Sequence, residues 1–400
     1  MEYFVSLKRA LELAKKVQLE LTHTATPLDE AHGRILAEDV ASLVDDPPFD
    51  NSSMDGFAVI HTDTIEPPTR LRIVGTSQAA AISNPVRVGK GEAARVMTGA
   101  PMPPGTDAII MVEKTTVSDD SEWVELQTSA KSDWVRKRGE NLTKGQIALT
   151  AGEKLTPHHI GLAATMGHSS ISVFSSPIIS IIPTGDELKQ PGEELETGEI
   201  YESNSFGIAG LVENAGCIPL RKNACVDSLD ELRKALDEAA KESDVIITSG
   251  GVSMGEWDLV RRIMEEEGNI HFWRVKIRPG SPPLFGLWKG TPIFGLPGNP
   301  VSSHIVFRML VKPWIMSQFG VEGQLETVVP AKLIDDLKAT KDCHTLRRIF
   351  VYSQEGELVA SVKTHQGSGN LHSMVAANAL TFLPPGSTAK CGETISVILL

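Results

Sequence analysis

Residues 245–258 read VIITSGGVSMGEWD. Val245–Thr248 is a short, β-branched run of the kind found in a buried strand, and the glycines after it predict a turn. A helix is predicted next, over Asp258–Glu267. A buried strand, a glycine turn and a helix in succession indicate one unit of a parallel α/β sheet.

The same alternation extends over about residues 175–318. Ser228 and Glu231 form a capping-box pattern that opens one helix, and Gly216 suits the position just after another. The remaining elements are predicted strands at Ile178–Ile182, Ile270–Ile277 and Pro292–Leu296, a further strand that ends near Val226, and helices at Glu202–Gly216, Leu229–Lys241 and Val301–Phe319. This order predicts a Rossmann-like, three-layer α/β domain with a mostly parallel sheet and helices on both faces.

The flanking regions have a different texture. Residues 47–140 are rich in Gly, Pro, Ser and Thr and contain short strand-like runs, which predict a compact β-rich module. Residues 325–400 again contain strand-like runs, which predict a small barrel or sandwich with one short helix at His372–Ala377. The first residues follow helical spacing behind Ser6, a candidate N-cap, with apolar positions at Leu7, Ala10, Leu11, Ala14 and Val17.

Composition excludes several classes of protein. The net charge of −13 argues against a nucleic-acid partner. No run of 18 apolar residues occurs, and the charged N-terminus lacks the apolar core of a signal peptide, so neither a membrane span nor secretion is expected. The four cysteines are scattered without a CxxC pair, which predicts a cytoplasmic protein without a zinc ribbon.

Polar motifs follow the predicted strands of the α/β region. Ligands of open α/β sheets bind outside the carboxyl ends of the strands, where these motifs are expected to meet. Four carboxylates would gather there, on Asp186, Glu187, Asp227 and Asp258. Because Mg²⁺ usually takes one or two carboxylates plus substrate phosphate oxygens, the sequence predicts a magnesium-assisted site for a phosphorylated ligand.

Each motif also has a structural explanation when taken alone. Gly250-Gly251 would let backbone N–H groups approach an anion, but a glycine pair after a strand is usually only a turn. Asp258 could be an N-cap, and the basic residues Arg274, Lys276 and Arg278 could be the solvated face of a strand. The convergence of all of them at one edge favours a functional site.

Seven longer motifs carry a resemblance to a known family. They are NSSMDGFAV (51–59), MTGAPMPPGTDAII (97–110), RKRGEN (136–141), PTGDEL (183–188), SGGVSMGEWD (249–258), IRPGSP (277–282) and GLPGNPVS (295–302). In these residues the chain closely resembles the molybdopterin molybdenumtransferase family, which includes the gephyrin E domain and the plant Cnx E domain.

The resemblance implies four domains and a homodimer. The implied domains are an α/β domain (1–22 plus 175–320), a connecting domain (23–46 plus 141–174), an inserted β-rich domain (47–140) and a C-terminal β domain with a barrel-like fold (321–400). In the implied elongated homodimer, the inserted domain of one subunit faces the α/β site of the other.

The resemblance also implies a reaction. Adenylylated molybdopterin and molybdate, or tungstate, would react with Mg²⁺ assistance to release AMP, and the molybdopterin adenylyltransferase is a candidate partner. The implied catalytic acids are Asp55, Glu187, Asp227 and Asp258, and Mg²⁺ would be held by some of Asp186, Asp227 and Asp258. The expected substrate-binding residues are Thr98, Arg136, Thr184, Gly250, Gly251, Ser253, Lys276, Arg278, Ser281, Pro297, Asn299 and Pro300.

The chain departs from the family pattern at two basic positions. The lysines of the family's KPGKP segment correspond to Arg278 and Ser281. Arg278 keeps a positive charge in a forked, bulkier form, whereas Ser281 loses it. Lys276 is a candidate replacement, and the choice between molybdate and tungstate stays open.

Three alternative functions accompany this interpretation. The first is the adenylyltransferase of the same pathway, which would consist of a single α/β domain. The second is a molybdopterin-binding scaffold like the gephyrin E domain. The third is a non-catalytic paralogue. The loss of charge at Ser281 favours this alternative, whereas the intact acids argue against it.

Overall fold

A seven-stranded sheet forms the centre of the computed structural model, which describes residues 1–81, 84–253, 258–321, 323, 325–362 and 365–400. Residues 254–257 of the motif at 249–258 therefore lie outside the described residues. The strands are β1 (Glu2–Val5), β2 (Ile178–Pro183), β3 (Ile218–Arg221), β4 (Val245–Ser249), β5 (Asn269–Val275), β6 (Leu284–Trp288) and β7 (Thr291–Leu296). Their spatial order is β1-β5-β6-β7-β4-β2-β3.

Six of the seven strands run in the same direction, as expected for a mostly parallel sheet. Only β6 is antiparallel to its two neighbours, β5 and β7. The predicted strand Ile270–Ile277 is too long at its end: β5 stops at Val275, and Ile277–Arg278 pairs instead with His344–Thr345. The strand predicted to end near Val226 is β3, which ends earlier, at Arg221. Strands β1 and β6 were not predicted.

Side chains alternate between two cores along the central strands. Ile181 and Ile247 belong to one core, whereas Ile182 and Ile246 belong to the other. This period of two buries both faces of the sheet under helices. The helices are α1 (Leu7–Ala14), α2 (Asn204–Asn214), α3 (Leu229–Glu242), α4 (Leu259–Glu266), α5 (Pro300–Val306) and α6 (Lys312–Gln318).

The predicted helix ends are partly confirmed. The hydroxyls of Ser6 and Ser228 accept hydrogen bonds from the third residue of α1 and α3, respectively. The helix predicted over Val301–Phe319 is not a single α-helix, because a π-helical turn at Phe307–Val311 separates α5 from α6. Pro313 has no N–H to donate to the preceding turn, which explains why regular α-helical bonding is interrupted there.

Two chain segments share a small core beside the α/β domain. Leu36 and Val40 from the first segment pack with Leu149 and Val173 from the second. Its elements are the helices Leu28–Ala31 and Pro157–Thr165 and the strand pairs His23–Pro27 with Ser170–Phe174 and Val40–Ala41 with Ile147–Leu149. The exact domain boundaries remain a prediction.

The segment between these two pieces contains a six-stranded sheet. Its strands, in spatial order, are Ala108–Met111, Gly56–Val59, Glu92–Val96, Thr69–Ser77, Trp123–Leu126 and Thr115–Val117. A separate two-stranded ladder joins Asn51–Ser52 to Val135–Arg136. The predicted functional residues Asp55, Thr98 and Arg136 belong to this part of the chain.

The C-terminal region is a closed five-stranded barrel, as the β texture of residues 325–400 predicted. The barrel strands, in spatial order, are Val328–Leu333, Glu357–Ser361, Arg348–Gln354, Ala379–Thr381 and Thr394–Leu399. The short helix predicted at His372–Ala377 is present at His372–Val375. Within the part of the chain that the structure describes, no helix combines the length and apolarity needed to cross a membrane.

Candidate active site at the carboxyl edge of the sheet

Three turns begin at the same level of the sheet. Pro183 pairs with Ser249, and Ser249 pairs with Leu296, so β2, β4 and β7 end side by side. The Thr184 N–H donates to the Ser249 carbonyl (3.0 Å), and the Gly250 N–H donates to the Leu296 carbonyl (3.0 Å). The sequence motifs after these strands are therefore brought to one edge, as the strand-end rule predicted.

Glycines are required where the turn after β4 passes its neighbours. Gly250 has φ +111°, and a Cβ there would lie 2.7 Å from the Thr184 carbonyl oxygen. Gly251 has φ +65°, and its Cβ would lie 2.9 Å from a methyl carbon of Val260. The Gly250 N–H is used within the sheet edge, so it does not serve an anion in the way the sequence suggested.

An acidic cleft of about 740 Å³ lies over this edge. We define the acidic cleft by the four carboxylates in its wall, those of Glu187, Glu202, Asp227 and Asp258. Of the predicted substrate-binding residues, it is lined by Thr184, Gly250, Gly251, Ser253, Pro297, Asn299 and Pro300. Three of the four predicted acids of the α/β region, Glu187, Asp227 and Asp258, thus converge in a single cleft.

The pKa of Asp227 reflects the closeness of these carboxylates. Its pKa is raised above the ordinary aspartate value, first because the carboxyl is partly buried and then because the Asp186 carboxylate lies nearby. The carboxylates of Glu187 and Asp258 raise the pKa further. Asp186 does not line the cleft; its Oδ1 accepts a hydrogen bond from the Asp227 N–H (2.9 Å) and so supports the turn behind it.

Asn204 joins two of the turns and was not predicted from the sequence. Its Nδ2 donates to Ser249 Oγ (2.7 Å) and to the Gly298 carbonyl (2.7 Å). Its Oδ1 is buried and has no hydrogen-bond partner among the described residues. Asn204 is the first residue of α2, where an asparagine is commonplace, so only the fold reveals this contact.

Buried Glu202 lines the acidic cleft next to Asn204. Its carboxylate accepts hydrogen bonds from the Ser205 N–H (2.7 Å) and from Ser205 Oγ (2.6 Å). The Arg221 guanidinium lies 3.8 Å away, which compensates part of the buried charge. Glu202 is therefore committed to holding the start of α2.

A second cavity of about 530 Å³ adjoins the acidic cleft. We define this basic cavity by the four arginines in its wall, Arg274, Arg278, Arg347 and Arg348. It lies where the end of β5 and the loop that follows it meet the barrel domain. The two cavities share Ser253, Pro282, Pro297 and Asn299 as wall residues.

Arg348 is the most deeply placed cation of the basic cavity, with 1% of its surface exposed. Its Nε donates to Ser373 Oγ (3.0 Å) and its Nη2 to the Gly367 carbonyl (3.0 Å). Burial, and secondarily the neighbouring Arg347, lowers the pKa of Arg348 to about 10, so it remains cationic at neutral pH. Since both hydrogen-bond acceptors are neutral, the guanidinium charge remains available to a bound anion.

Only some of the predicted basic residues line the basic cavity. Arg278 lines the basic cavity as expected, but Lys276 does not, and its ammonium lies 5.4 Å from the centre of the Phe4 ring. Lys276 is thus not the direct replacement for the missing lysine. Ser281 lines the cavity, although its hydroxyl donates to the Val275 carbonyl (3.2 Å). Arg274 contributes the additional charge.

Arg347 and Arg348 were also missed. The only signal in the sequence was an adjacent pair of arginines ahead of an otherwise apolar strand, IFVY. Such a pair normally alternates between the two faces of a strand, with at least one side chain in solvent. Here both line the cavity because the barrel packs against the turn after β5.

Asp55, Thr98 and Arg136 line neither cavity of this chain. The Asp55 carboxylate accepts hydrogen bonds from the Thr98 N–H (2.7 Å) and Thr98 Oγ1 (3.0 Å). These two bonds lower the pKa of Asp55. The structure therefore joins Asp55 to Thr98 but does not bring either to the acids of the α/β edge.

Comparison with protein families divides the chain into three matched regions. Residues 5–167 match the MoeA N-terminal region (domain I and II). Residues 180–317 match a probable molybdopterin-binding domain, and residues 330–400 match the MoeA C-terminal region (domain IV). Both cavities are built from the second and third of these regions.

Similar proteins cover nearly the whole chain. A molybdopterin molybdenumtransferase from Haemophilus influenzae is 34% identical, over 92% of each chain. One from Bacillus subtilis is 34% identical over 93% of this chain and 89% of its own. A crystal structure of the molybdopterin biosynthesis MoeA protein from Pyrococcus horikoshii superposes with a TM-score of 0.83 at 28% identity, covering 99% of this chain and 100% of that one.

Proposed function

Because this chain belongs to the molybdopterin molybdenumtransferase family and is a transferase of molybdenum cofactor biosynthesis, we propose that it transfers molybdenum or tungsten from the oxyanion to adenylylated molybdopterin and releases AMP. The α/β domain is accordingly assigned as the Rossmann-like substrate domain. All four cysteines are free, which fits a reaction in the reducing cytoplasm.

One observation carries this proposal: two cavities of opposite charge share a wall. The reaction needs two anionic substrates, an oxyanion and a phosphorylated pterin, to meet. Four arginines in the basic cavity suit the oxyanion, since guanidinium groups bind oxyanions through charge-assisted hydrogen bonds. Asn299 and Pro297 line both cavities, so molecules bound in each would come within reach of one another.

The acidic cleft suits the phosphorylated pterin only if a cation accompanies it. Among the described residues, no three His, Cys, Asp or Glu side chains are arranged to hold a metal by themselves. Mg²⁺ does not need such a cage, because it is commonly held by one or two carboxylates plus phosphate oxygens. Burial, and after it repulsion by neighbouring carboxylates, raises the pKa of Asp227, and a divalent cation would relieve the repulsion.

Asp227 and Asp258 are the residues that would hold this magnesium ion, with Glu187 facing the same space. When bound, the ion would neutralise phosphate charge as a Lewis acid. Asp186, which the sequence grouped with the metal ligands, instead supports the Asp227 turn through the Asp227 N–H. The proposed ligand set therefore excludes Asp186.

The chain's own groups have three tasks in this reaction. Arg274, Arg278 and Arg348 orient the oxyanion beside the shared wall. The rigid loop of Pro297 and Pro300 separates the two substrates at a fixed spacing and limits water between them. No side chain needs to act as a nucleophile, so positioning and charge stabilisation supply the catalysis.

The inserted domain enters the site across a dimer in this proposal. Asp55, Thr98 and Arg136 do not line the cavities of their own chain, so a catalytic role requires a second subunit. In a homodimer with twofold symmetry, each inserted domain would face the α/β edge of the other subunit. The Asp55–Thr98 pair keeps the Asp55 carboxylate ionised for that purpose.

The direct test is an assay of the purified chain with adenylylated molybdopterin, Mg²⁺ and either molybdate or tungstate. We expect AMP release that depends on the oxyanion and stops when EDTA removes magnesium. Asp227→Ala and Asp258→Ala should lose activity while remaining folded. Asp230→Ala, an exposed carboxylate on α3 three residues from Asp227, is the matched control and should retain activity.

Two results would refute the proposal. Full activity of both the Asp227 and Asp258 variants would remove the acidic cleft from the reaction. AMP release at the same rate without any oxyanion would indicate simple hydrolysis rather than metal insertion. Formation of adenylylated molybdopterin from ATP would instead favour the adenylyltransferase alternative.

A further inference from the structure

The N-terminal strand lies beside the basic cavity. Strand β1 pairs in parallel with β5 at the edge of the sheet, in a register that joins Tyr3 to Trp273 and Val5 to Val275. Between these pairs, Phe4 has φ +50° and Arg274 has φ +66°. Neither is a glycine, and positive φ is uncommon for bulky residues.

Paired distortions at the same level of two strands redirect two side chains. The Arg274 Nη1 donates a hydrogen bond to the Tyr3 hydroxyl oxygen (2.9 Å). The guanidinium carbon of Arg274 lies 5.3 Å from the centre of the Phe4 ring and 5.8 Å from that of Tyr3. Both distances lie within the range of a cation–π interaction.

Tyr3 and Phe4 each have a further contact with β5 or the residue after it. The Tyr3 ring lies 5.3 Å from the Trp273 ring, measured between centroids. Lys276 places its ammonium 5.4 Å from the Phe4 ring, so both Arg274 and the neighbouring lysine contact the same two-residue segment. Strand β1 thus contacts two cations, Arg274 and Lys276, which flank Val275 in the sequence.

These contacts matter because Arg274 lines the basic cavity. An arginine side chain loses conformational entropy when a ligand immobilises it, so holding it in place beforehand favours binding. An aromatic face and a phenol oxygen orient the guanidinium without contributing a negative charge. The cavity thereby gains an oriented cation that these two residues do not neutralise.

We propose that Tyr3 and Phe4 are positioning residues for the oxyanion, acting through Arg274. The N-terminal strand is then part of the oxyanion site, although neither aromatic residue lines the cavity. This inference rests on the proposed function, since it takes the tetrahedral oxyanion as the ligand of the basic cavity.

The test is calorimetric titration of the full-length protein with molybdate and, separately, with tungstate. We compare the wild type with Tyr3→Phe, Tyr3→Ala and Phe4→Leu. Loss of the hydroxyl alone in Tyr3→Phe should weaken binding about twofold to threefold. Loss of hydroxyl and ring in Tyr3→Ala, or of the ring in Phe4→Leu, should weaken it roughly threefold to tenfold.

A double-mutant cycle separates positioning from general support of the fold. In an Arg274→Met background, Tyr3→Ala should cause no further loss of oxyanion affinity, because the group it orients is gone. In the enzyme assay, the same Tyr3→Ala change should raise KM for molybdate and leave KM for adenylylated molybdopterin unchanged. Trp123→Leu removes a comparable arginine–aromatic contact, with Arg70, far along the chain and should change neither.

The outcomes distinguish this inference from the function on which it rests. If the wild type binds neither oxyanion, both proposals fail. If the wild type binds oxyanion and Tyr3→Ala and Phe4→Leu bind it equally well, only the positioning role fails. Equal losses from Tyr3→Ala with and without Arg274 would also overturn it. Should Tyr3→Ala not fold, Tyr3→Phe and Phe4→Leu, which keep an apolar side chain, decide the question.

Discussion

Asp227 is a proposed magnesium ligand whose ionised carboxyl is electrostatically unfavourable in the folded state. Its raised pKa means that the folded state disfavours the ionised carboxyl, chiefly through partial burial and the nearby Asp186. The folded protein therefore binds a proton at this site more readily than the unfolded chain does. Stability is lost as pH rises through the interval between the unfolded and folded pKa values, and the penalty is fully present above it.

We predict that Asp227→Asn is more heat-stable than the wild type at pH 7 and at least about 10²-fold less active. The difference in Tm should shrink towards pH 4, where the unfolded-state aspartate begins to take up its proton. Thermal melts at several pH values measure it, with Asp230→Asn as the control. A lower Tm for Asp227→Asn at pH 7 would contradict the electrostatic account.

Gly250 is a second residue whose identity the geometry dictates. We predict that Gly250→Ala costs about 1–3 kcal/mol of unfolding free energy, because φ +111° is strained for alanine and the new Cβ would meet the Thr184 carbonyl. Gly210→Ala on α2 has open space around its Cβ and should stabilise by roughly 0.5–1 kcal/mol. Urea denaturation compares the two, and equal effects would show that the turn tolerates a side chain.

Among single residues, the sequence predicted those with a local signal and missed those that have no such signal. Gly216, with φ +82° directly after α2, and the Ser228 cap were recognisable because caps follow short-range rules. The sequence did not reveal that Arg274, rather than Lys276, lines the basic cavity. Simple strand alternation cannot anticipate the positive φ of Arg274, which turns this side chain into the basic cavity.

Among the elements, the start of α2 connects the turns after β4 and β7. Asn204 is its contact point, through hydrogen bonds to Ser249 Oγ and the Gly298 carbonyl. We predict that Asn204→Ala costs about 1–3 kcal/mol of unfolding free energy, since the hydroxyl of buried Ser249 and the carbonyl of exposed Gly298 both lose their donor. It should also lower kcat, because the loop with Pro297 and Pro300 is less firmly held.

Hydrogen exchange provides the measurement. Amide exchange in residues 297–303 should accelerate in Asn204→Ala, whereas Asn214→Ala at the exposed far end of the same helix should behave like the wild type. Unchanged exchange in that segment would show that Asn204 does not hold the loop.

The errors in predicting elements have physical causes. Strand β6 was missed because LFGLW is short, contains a glycine and follows two prolines, all of which weaken a strand signal. Strand β1 was missed because Glu2–Val5 immediately precedes α1, whose helical periodicity dominates the window. The π-turn between α5 and α6 reflects Pro313 inside a continuous apolar pattern.

At the level of the whole molecule, the sequence located the acidic cleft but only part of the basic cavity, the part that includes Arg278 and Ser281. The acids follow parallel strands of one sheet, so a general rule brings them together. The basic cavity instead combines the turn after β5, the arginine pair at the start of a barrel strand and the segment around Gln366. Packing between two domains creates it, and no spacing within the chain encodes that packing.

The dimer proposal predicts complementation between inactive variants. Asp55→Ala and Asp258→Ala should each be inactive alone. After unfolding and refolding together, mixed dimers would contain one intact site, and random pairing gives about a quarter of wild-type activity in a twofold-symmetric dimer. The assay is AMP release per subunit. No recovery, with mixed dimers confirmed by tagged purification, would place Asp55 outside a shared site.

We propose that the oxyanion binds among the arginines beside the acidic cleft. Anomalous diffraction at the tungsten edge, from crystals grown with tungstate and Mg²⁺, locates the anion without any assumption about turnover. We predict one strong peak in the basic cavity, within contact distance of Arg274 and Arg348 and next to Asn299. Peaks confined to other parts of the molecule, with the basic cavity empty, would show that the oxyanion binds elsewhere.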